Sequence, residues 1–116
     1  MMIGIFAGLA LAAAAGPTYL NCTIDGPKGP LTAKVTADEA NQIATVELPS
    51  TGAVDRRPAV FSASAVTFSV PLSSGIQVQY EINRVDLSIT QALIGLGSPI
   101  VRNGKCIVEI APSRAF

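Results

Sequence analysis

The sequence predicts an all-β domain, a small antiparallel meander of seven or eight strands closed as a barrel or as a two-sheet sandwich. Three observations carry that expectation. Apolar and polar residues alternate with period two in several separate runs, the mark of strands with one buried face. Clusters of Gly, Pro, Asn, Asp and Ser stand between those runs. No segment of the mature chain is periodic over the dozen or so residues that a helical crossover between parallel strands needs. Four Phe, two Tyr and no Trp in 116 residues leave Val, Ile, Leu and Ala to build the core. A chain of that length supports one domain with a single core.

Taken in order, Tyr19 to Ile24 is a short strand-like run that stops at the turn formers Asp25, Gly26, Pro27, Lys28, Gly29 and Pro30. Leu31, Ala33, Val35 and Ala37 then alternate with Thr32, Lys34 and Thr36. Asp38 to Asn41 turns the chain into a second run in which Ala44, Val46 and Leu48 alternate with Thr45 and Glu47, so the pair reads as a hairpin. Pro49 to Gly52, with Asp55, Arg56, Arg57 and Pro58, forms the longest polar connection and is expected to be a mobile surface loop. Ala59, Phe61 and Ala63 are out of phase with Val66, Phe68 and Val70, which places a bulge or tight turn near Ser64. Pro71 to Gly75 breaks the run before Ile76, Val78, Tyr80 and Ile82 alternate with glutamines, Glu81 and Asn83. A second slip at Asn83 and Arg84 fits either a bulged long strand or a hairpin leading into Val85, Leu87 and Ile89. Gln91 to Gly104 is ambiguous: Ala92, Leu93, Ile94 and Leu96 suit one helical turn, limited by Gly95, Gly97 and Pro99. Asn103 and Gly104 read as a turn into a last strand, Lys105 to Ile110. Strands at both ends of the chain favour closure over an open sheet with bare edges.

Residues 1–15 hold no charged side chain, and Ala13, Ala14 and Ala15 precede Gly16 and Pro17. Small residues at −3 and −1 are what signal peptidase accepts, so the expectation is a signal peptide over 1–15 and a mature domain over 16–116. The region before the apolar block has no Lys or Arg and relies on the α-amino group for its positive charge. A membrane anchor would call for about 18 apolar residues. A lipoprotein signal does not fit Tyr19, Leu20 and Asn21 ahead of Cys22, because the leucine stands one place too near the cysteine. Export implies a periplasmic or secreted location, where thiols pair. The two cysteines, Cys22 and Cys106, are then expected to form a disulfide joining the first and last strands.

The chemistry that composition excludes is sharper than the chemistry it suggests. There is no histidine, which removes Ser-His-Asp and Cys-His nucleophile activation and most zinc or iron sites. Eight basic residues balance eight acidic ones, so no net field attracts nucleic acid. Asp38 with Glu39 lacks calcium-loop spacing, and Glu81, Asp86 and Glu109 alternate with apolar neighbours and should face solvent. No phosphate-loop, dinucleotide or nucleophile-elbow pattern occurs. No catalytic residue, metal or cofactor is expected. Arg84, at a phase break, reads as an anion partner or an ordinary surface charge, and the Arg56 and Arg57 pair as a partner contact or a plain exposed dibasic loop. Asn21, Cys22 and Thr23 match a glycosylation sequon whose central cysteine is committed elsewhere.

The patches Tyr19-Leu20-Asn21-Cys22, Tyr80-Glu81-Ile82-Asn83-Arg84-Val85 and Gly104-Lys105-Cys106 resemble small exported Gram-negative bacterial proteins of unassigned function. The resemblance implies size, export and a β-rich fold, and carries no activity. The functional expectation is a non-enzymatic exported β-domain that binds a protein partner or a small apolar ligand, with Arg56, Arg57 and Arg84 as candidate contacts. The alternative is a structural envelope or surface-assembly subunit that adds strands to its neighbours.

Overall fold

Eight strands follow one another and each pairs antiparallel with the next: β1 (Thr18–Gly26), β2 (Gly29–Asp38), β3 (Ile43–Leu48), β4 (Ala53–Phe61), β5 (Ala65–Ser73), β6 (Ile76–Asn83), β7 (Ser88–Ile94) and β8 (Ile100–Glu109). The computed structural model describes residues 16–110, so the expected signal peptide and its cleavage point after Ala15 lie outside the described residues. The sheet closes into a barrel when β1 pairs with β8, from Tyr19 opposite Glu109 to Ile24 opposite Gly104. Between barrel and sandwich, the barrel is the outcome. Closure gives the first and last strands a partner on both sides, which removes the edges that an open meander would expose.

Period-two alternation puts one set of side chains inside. Leu20, Cys22 and Ile24 of β1 meet Ala33 and Val35 of β2, Ala44 and Val46 of β3, Val66, Phe68 and Val70 of β5, Ile82 of β6 and Ile89 of β7. Ile24, Ile82, Ile89 and Val35 have almost no accessible surface. Eight strands leave an interior that side chains just fill, and small residues such as Ala33 and Ala44 make room for Phe68 and Tyr80, whose rings stack with centroids 5.0 Å apart. The outward positions include the exposed Thr32, Lys34, Glu47, Gln77, Gln79, Glu81 and Lys105, with Val54, Val60, Val101 and Ile107 exposed among them.

Cys22 and Cys106 form a disulfide and stand opposite each other in the β1–β8 register. The Cys106 N–H donates to the Leu87 carbonyl at 2.7 Å, away from β1. The two cysteines therefore occupy a pair that makes no ladder bonds, the kind in which opposed residues approach most closely.

Several connections differ from expectation. The turn after β1 is shorter than the run from Asp25 to Pro30, because Asp25 and Pro30 pair in register and only Pro27 and Lys28 lie between the strands. Pro is tolerated there as a residue near the start of a strand. Arg56, Arg57 and Pro58 are not in a loop: they belong to β4 and pair with Thr45, Ala44 and Ile43 of β3. Of the two options at Asn83 the hairpin holds, with the Asn83 Oδ1 accepting the N–H groups of Val85 and Asp86 at 2.8 and 3.0 Å. Ala92 to Ile94 is strand, not a helical turn. Gly104 lies inside β8 instead of in a turn, and a Cβ there would collide with the Thr23 carbonyl oxygen and the Ile24 Cα of β1. The tight turn near Ser64 is as expected, the Ser62 N–H donating to the Ala65 carbonyl at 2.9 Å.

Candidate functional site

The turns after β2, β4 and β6 gather at one end of the barrel, beside Gly16, and together frame a cavity of about 530 Å³. Its walls are Leu20, Ala37, Phe61, Val66, Ile82 and Leu87, which are the ends of the inward rows of β1, β2, β4, β5 and β6 with the turn residue Leu87. The rows run out of opposing side chains where the strands end, so apolar surface that is packed in mid-barrel is left open at this mouth. Leu87 holds its place with a positive φ of 63°, allowed because Asn83 and Asp86 hold the turn through side-chain bonds.

Arg84 closes one side of the mouth. Its Nη2 donates to the Glu39 Oε1 at 2.8 Å, and its Nη1 to the Glu39 Oε2 at 3.3 Å and the Ser62 carbonyl at 2.6 Å. The guanidinium lies 5.8 Å from the centre of the Phe61 ring, and the Arg84 N–H donates to the Ser64 carbonyl. One residue thus ties the β2–β3, β4–β5 and β6–β7 turns together. The slip in alternation at this position in the sequence is the turn that frees the side chain to do so. Because both partners of the ion pair are partly exposed, the pair contributes at most about 1 kcal/mol; its role is to set the shape of the rim.

Arg56 and Arg57 part company. Arg56 is exposed on the outside of the barrel, while Arg57, opposite the buried Ala44, points inward and is half-buried. Two residues earlier Asp55 also faces inward, opposite Val46. Across the sheet, Phe68, Tyr80, Gln91 and Arg102 stand in one inward row on β5 to β8. Gln91 Nε2 donates to the Tyr80 hydroxyl at 3.1 Å. Burial pushes the Tyr80 hydroxyl above its ordinary pKa, the Gln91 bond offsets part of that, and the nearby Asp55 charge adds to it. This interior polar layer escaped the sequence reading, although Ala53, Asp55, Arg57, Ala59 and Phe61 do keep period two. The signal was hidden because β4 is polar on both faces over its first half.

The remaining acids do not converge. Asp38 accepts from Asn41, Glu39 from Arg84 and Glu109 from Asn21, and Glu81 is exposed on β6. Asp86 is held below the usual carboxylate range by the Ser88 hydroxyl, then by the Ser88 N–H. Among the described residues no three His, Cys, Asp or Glu side chains come together as a metal site. Comparison with protein-family models, with curated proteins and with solved structures gives no match.

Proposed function

We propose that this chain is an exported, non-enzymatic β-barrel that binds a small apolar ligand in the mouth framed by Phe61, Leu87 and the Arg84–Glu39 pair. The observation that carries the reading is the cavity of about 530 Å³, mostly apolar, at the end of a barrel whose middle is filled by its own side chains. Ligand sites for small molecules are apolar clefts of roughly 300 to 1,000 Å³ with a few polar groups at the edge. The fixed Arg84–Glu39 pair is such an edge, and because it is internally neutralised it favours a ligand without a strong net charge.

Export is supported by the disulfide, which belongs to oxidising compartments, and by the residues that precede Gly16. Lipid-spanning barrels wear a continuous apolar band outside; this barrel mixes Thr, Lys, Gln and Glu there with scattered Val54, Val60, Val101 and Ile107, which supports a protein bathed by water after processing. The separation of its acids supports a binding role over catalysis. The strand-adding subunit is the weaker reading, since β1 and β8 already satisfy each other.

The test is titration of the mature protein with N-phenyl-1-naphthylamine, a neutral apolar probe whose fluorescence rises on leaving water. Binding with one site, weakened about tenfold or more by Thr18→Trp at the exposed rim, is expected from filling the cavity. Absence of binding, or binding indifferent to Thr18→Trp, would overturn the reading. Intact mass of the protein from a periplasmic fraction, starting at Gly16 and alkylated on two cysteines only after reduction, is the expected outcome for location.

A further inference from the structure

The β4–β5 ladder is the shortest in the barrel, with three registered pairs, Ala59 opposite Phe68, Val60 opposite Thr67 and Phe61 opposite Val66. Both strands continue well beyond it, β4 back to Ala53 and β5 on to Ser73, each paired on its far side with β3 and β6. The reason for the break is in the backbone. Ser62 donates to Ala65 across the turn while Ala59 donates to Gln42, the residue just before β3, so even-numbered residues of β4 aim their N–H groups at β5 and odd-numbered ones at β3. The same alternation makes the odd-numbered residues of β5 face β4. The next two pairs the ladder would form, Pro58 with Ser69 and Arg56 with Pro71, therefore each lack one donor, because proline has no N–H.

The first of these losses is made good by a side chain. Arg57 Nε donates to the Ser69 carbonyl at 3.0 Å, and Ser69 is the residue that would face Pro58 if the register continued. A single guanidinium stands in for the missing amide. Beyond it, Val54 and Arg56 on one side and Pro71 on the other have no ladder between them.

We propose that the barrel wall is built to open sideways between Ala53–Arg57 of β4 and Ser69–Ser73 of β5, and that Arg57 is the latch. Opening here exposes the inner polar layer of Asp55, Tyr80 and Gln91 to solvent, whereas every other seam is held by a longer ladder and the β1–β8 seam also by the disulfide. The two prolines take one donor from each lip, which weakens either lip as a template for an added strand. The latch is independent of whether the mouth binds a ligand.

Backbone amide hydrogen exchange of the mature protein tests it. Arg57→Met keeps the apolar stem and removes the donor, and is expected to speed exchange at Val60 and Thr67 by about tenfold, with the β1–β8 amides unchanged. In a Pro58→Ala background, where an amide can reach the Ser69 carbonyl, the same substitution should change exchange at Val60 and Thr67 little. Equal acceleration in both backgrounds, no acceleration in either, or acceleration spread over all eight strands would overturn the proposal. Should Arg57→Met not fold, Pro58→Ala alone decides: its new amide at position 58 is expected to be protected, and an unprotected one overturns the latch.

Discussion

The side-chain amide of Gln91 donates to the hydroxyl of Tyr80 at 3.1 Å inside the barrel, and among the described residues Gln91 is the one buried side chain that is an amide or a charge. The two residues are opposed on β6 and β7, so the ladder register itself brings amide and phenol together. A polar pair in a core is tolerated when each member satisfies the other, and no buried side-chain donor or acceptor is left without a partner among the described residues.

Breaking that pair from one side should cost more than removing it whole. Tyr80→Phe leaves the Gln91 amide buried without its acceptor and is expected to lower stability by about 1 to 3 kcal/mol. Tyr80→Phe combined with Gln91→Leu should recover much of the loss, read from urea unfolding midpoints. Additive losses in the double variant would contradict the pairing.

Tyr80 also predicts alkaline behaviour. Its folded pKa is raised above the ordinary 10.0, first by burial, so the folded state holds the proton more tightly than the unfolded chain. Stability from this group is complete below about pH 10 and falls as pH rises from there toward the folded pKa. Unfolding measured between pH 9 and 12 (values on the order of the tyrosine range) should show a loss of stability that is reduced in Tyr80→Phe.

The disulfide spans a sequence separation of 84 residues, and the chain-entropy model assigns such a closure roughly 4.5 kcal/mol. Cys106→Ala should therefore lower stability by several kcal/mol and leave one titratable thiol. The barrel still has its β1–β8 ladder, so thermal unfolding should remain a single transition at a lower temperature. A variant as stable as the parent would remove the disulfide from any role in closure.

Gly104→Ala tests the same seam through packing. The added methyl meets the backbone of Thr23 and Ile24, which cannot swing aside as a flexible side chain would. An expected loss of about 1 to 3 kcal/mol, with faster amide exchange confined first to β1 and β8, would distinguish this clash from a general change in strand propensity.

Much of this architecture was legible because it follows from side-chain period. Leu31 to Ala37, Ala44 to Leu48 and Ile76 to Ile82 alternate cleanly, and each is a strand with its apolar face inward. The pairing of Cys22 with Cys106 was legible from their number and place in the chain. Arg57 was misplaced because a polar stretch with two prolines looks like a loop when its neighbours are unknown. In the barrel that stretch is held as a strand by β3, and Asp55 and Arg57 turn inward because Val46 and Ala44 opposite them do, while Arg56 turns out.

The all-β class, the approximate strand count, the disulfide and the exclusion of histidine chemistry all depend on residue type and local spacing, and so they can be read along the chain. Closure into a barrel, the mouth between Phe61, Arg84 and Glu39, and the short seam where Arg57 donates in place of the amide that Pro58 lacks come from assembly of the strands. Those features rest on which strands become neighbours, and alternation along one strand specifies a face without specifying what lies across from it.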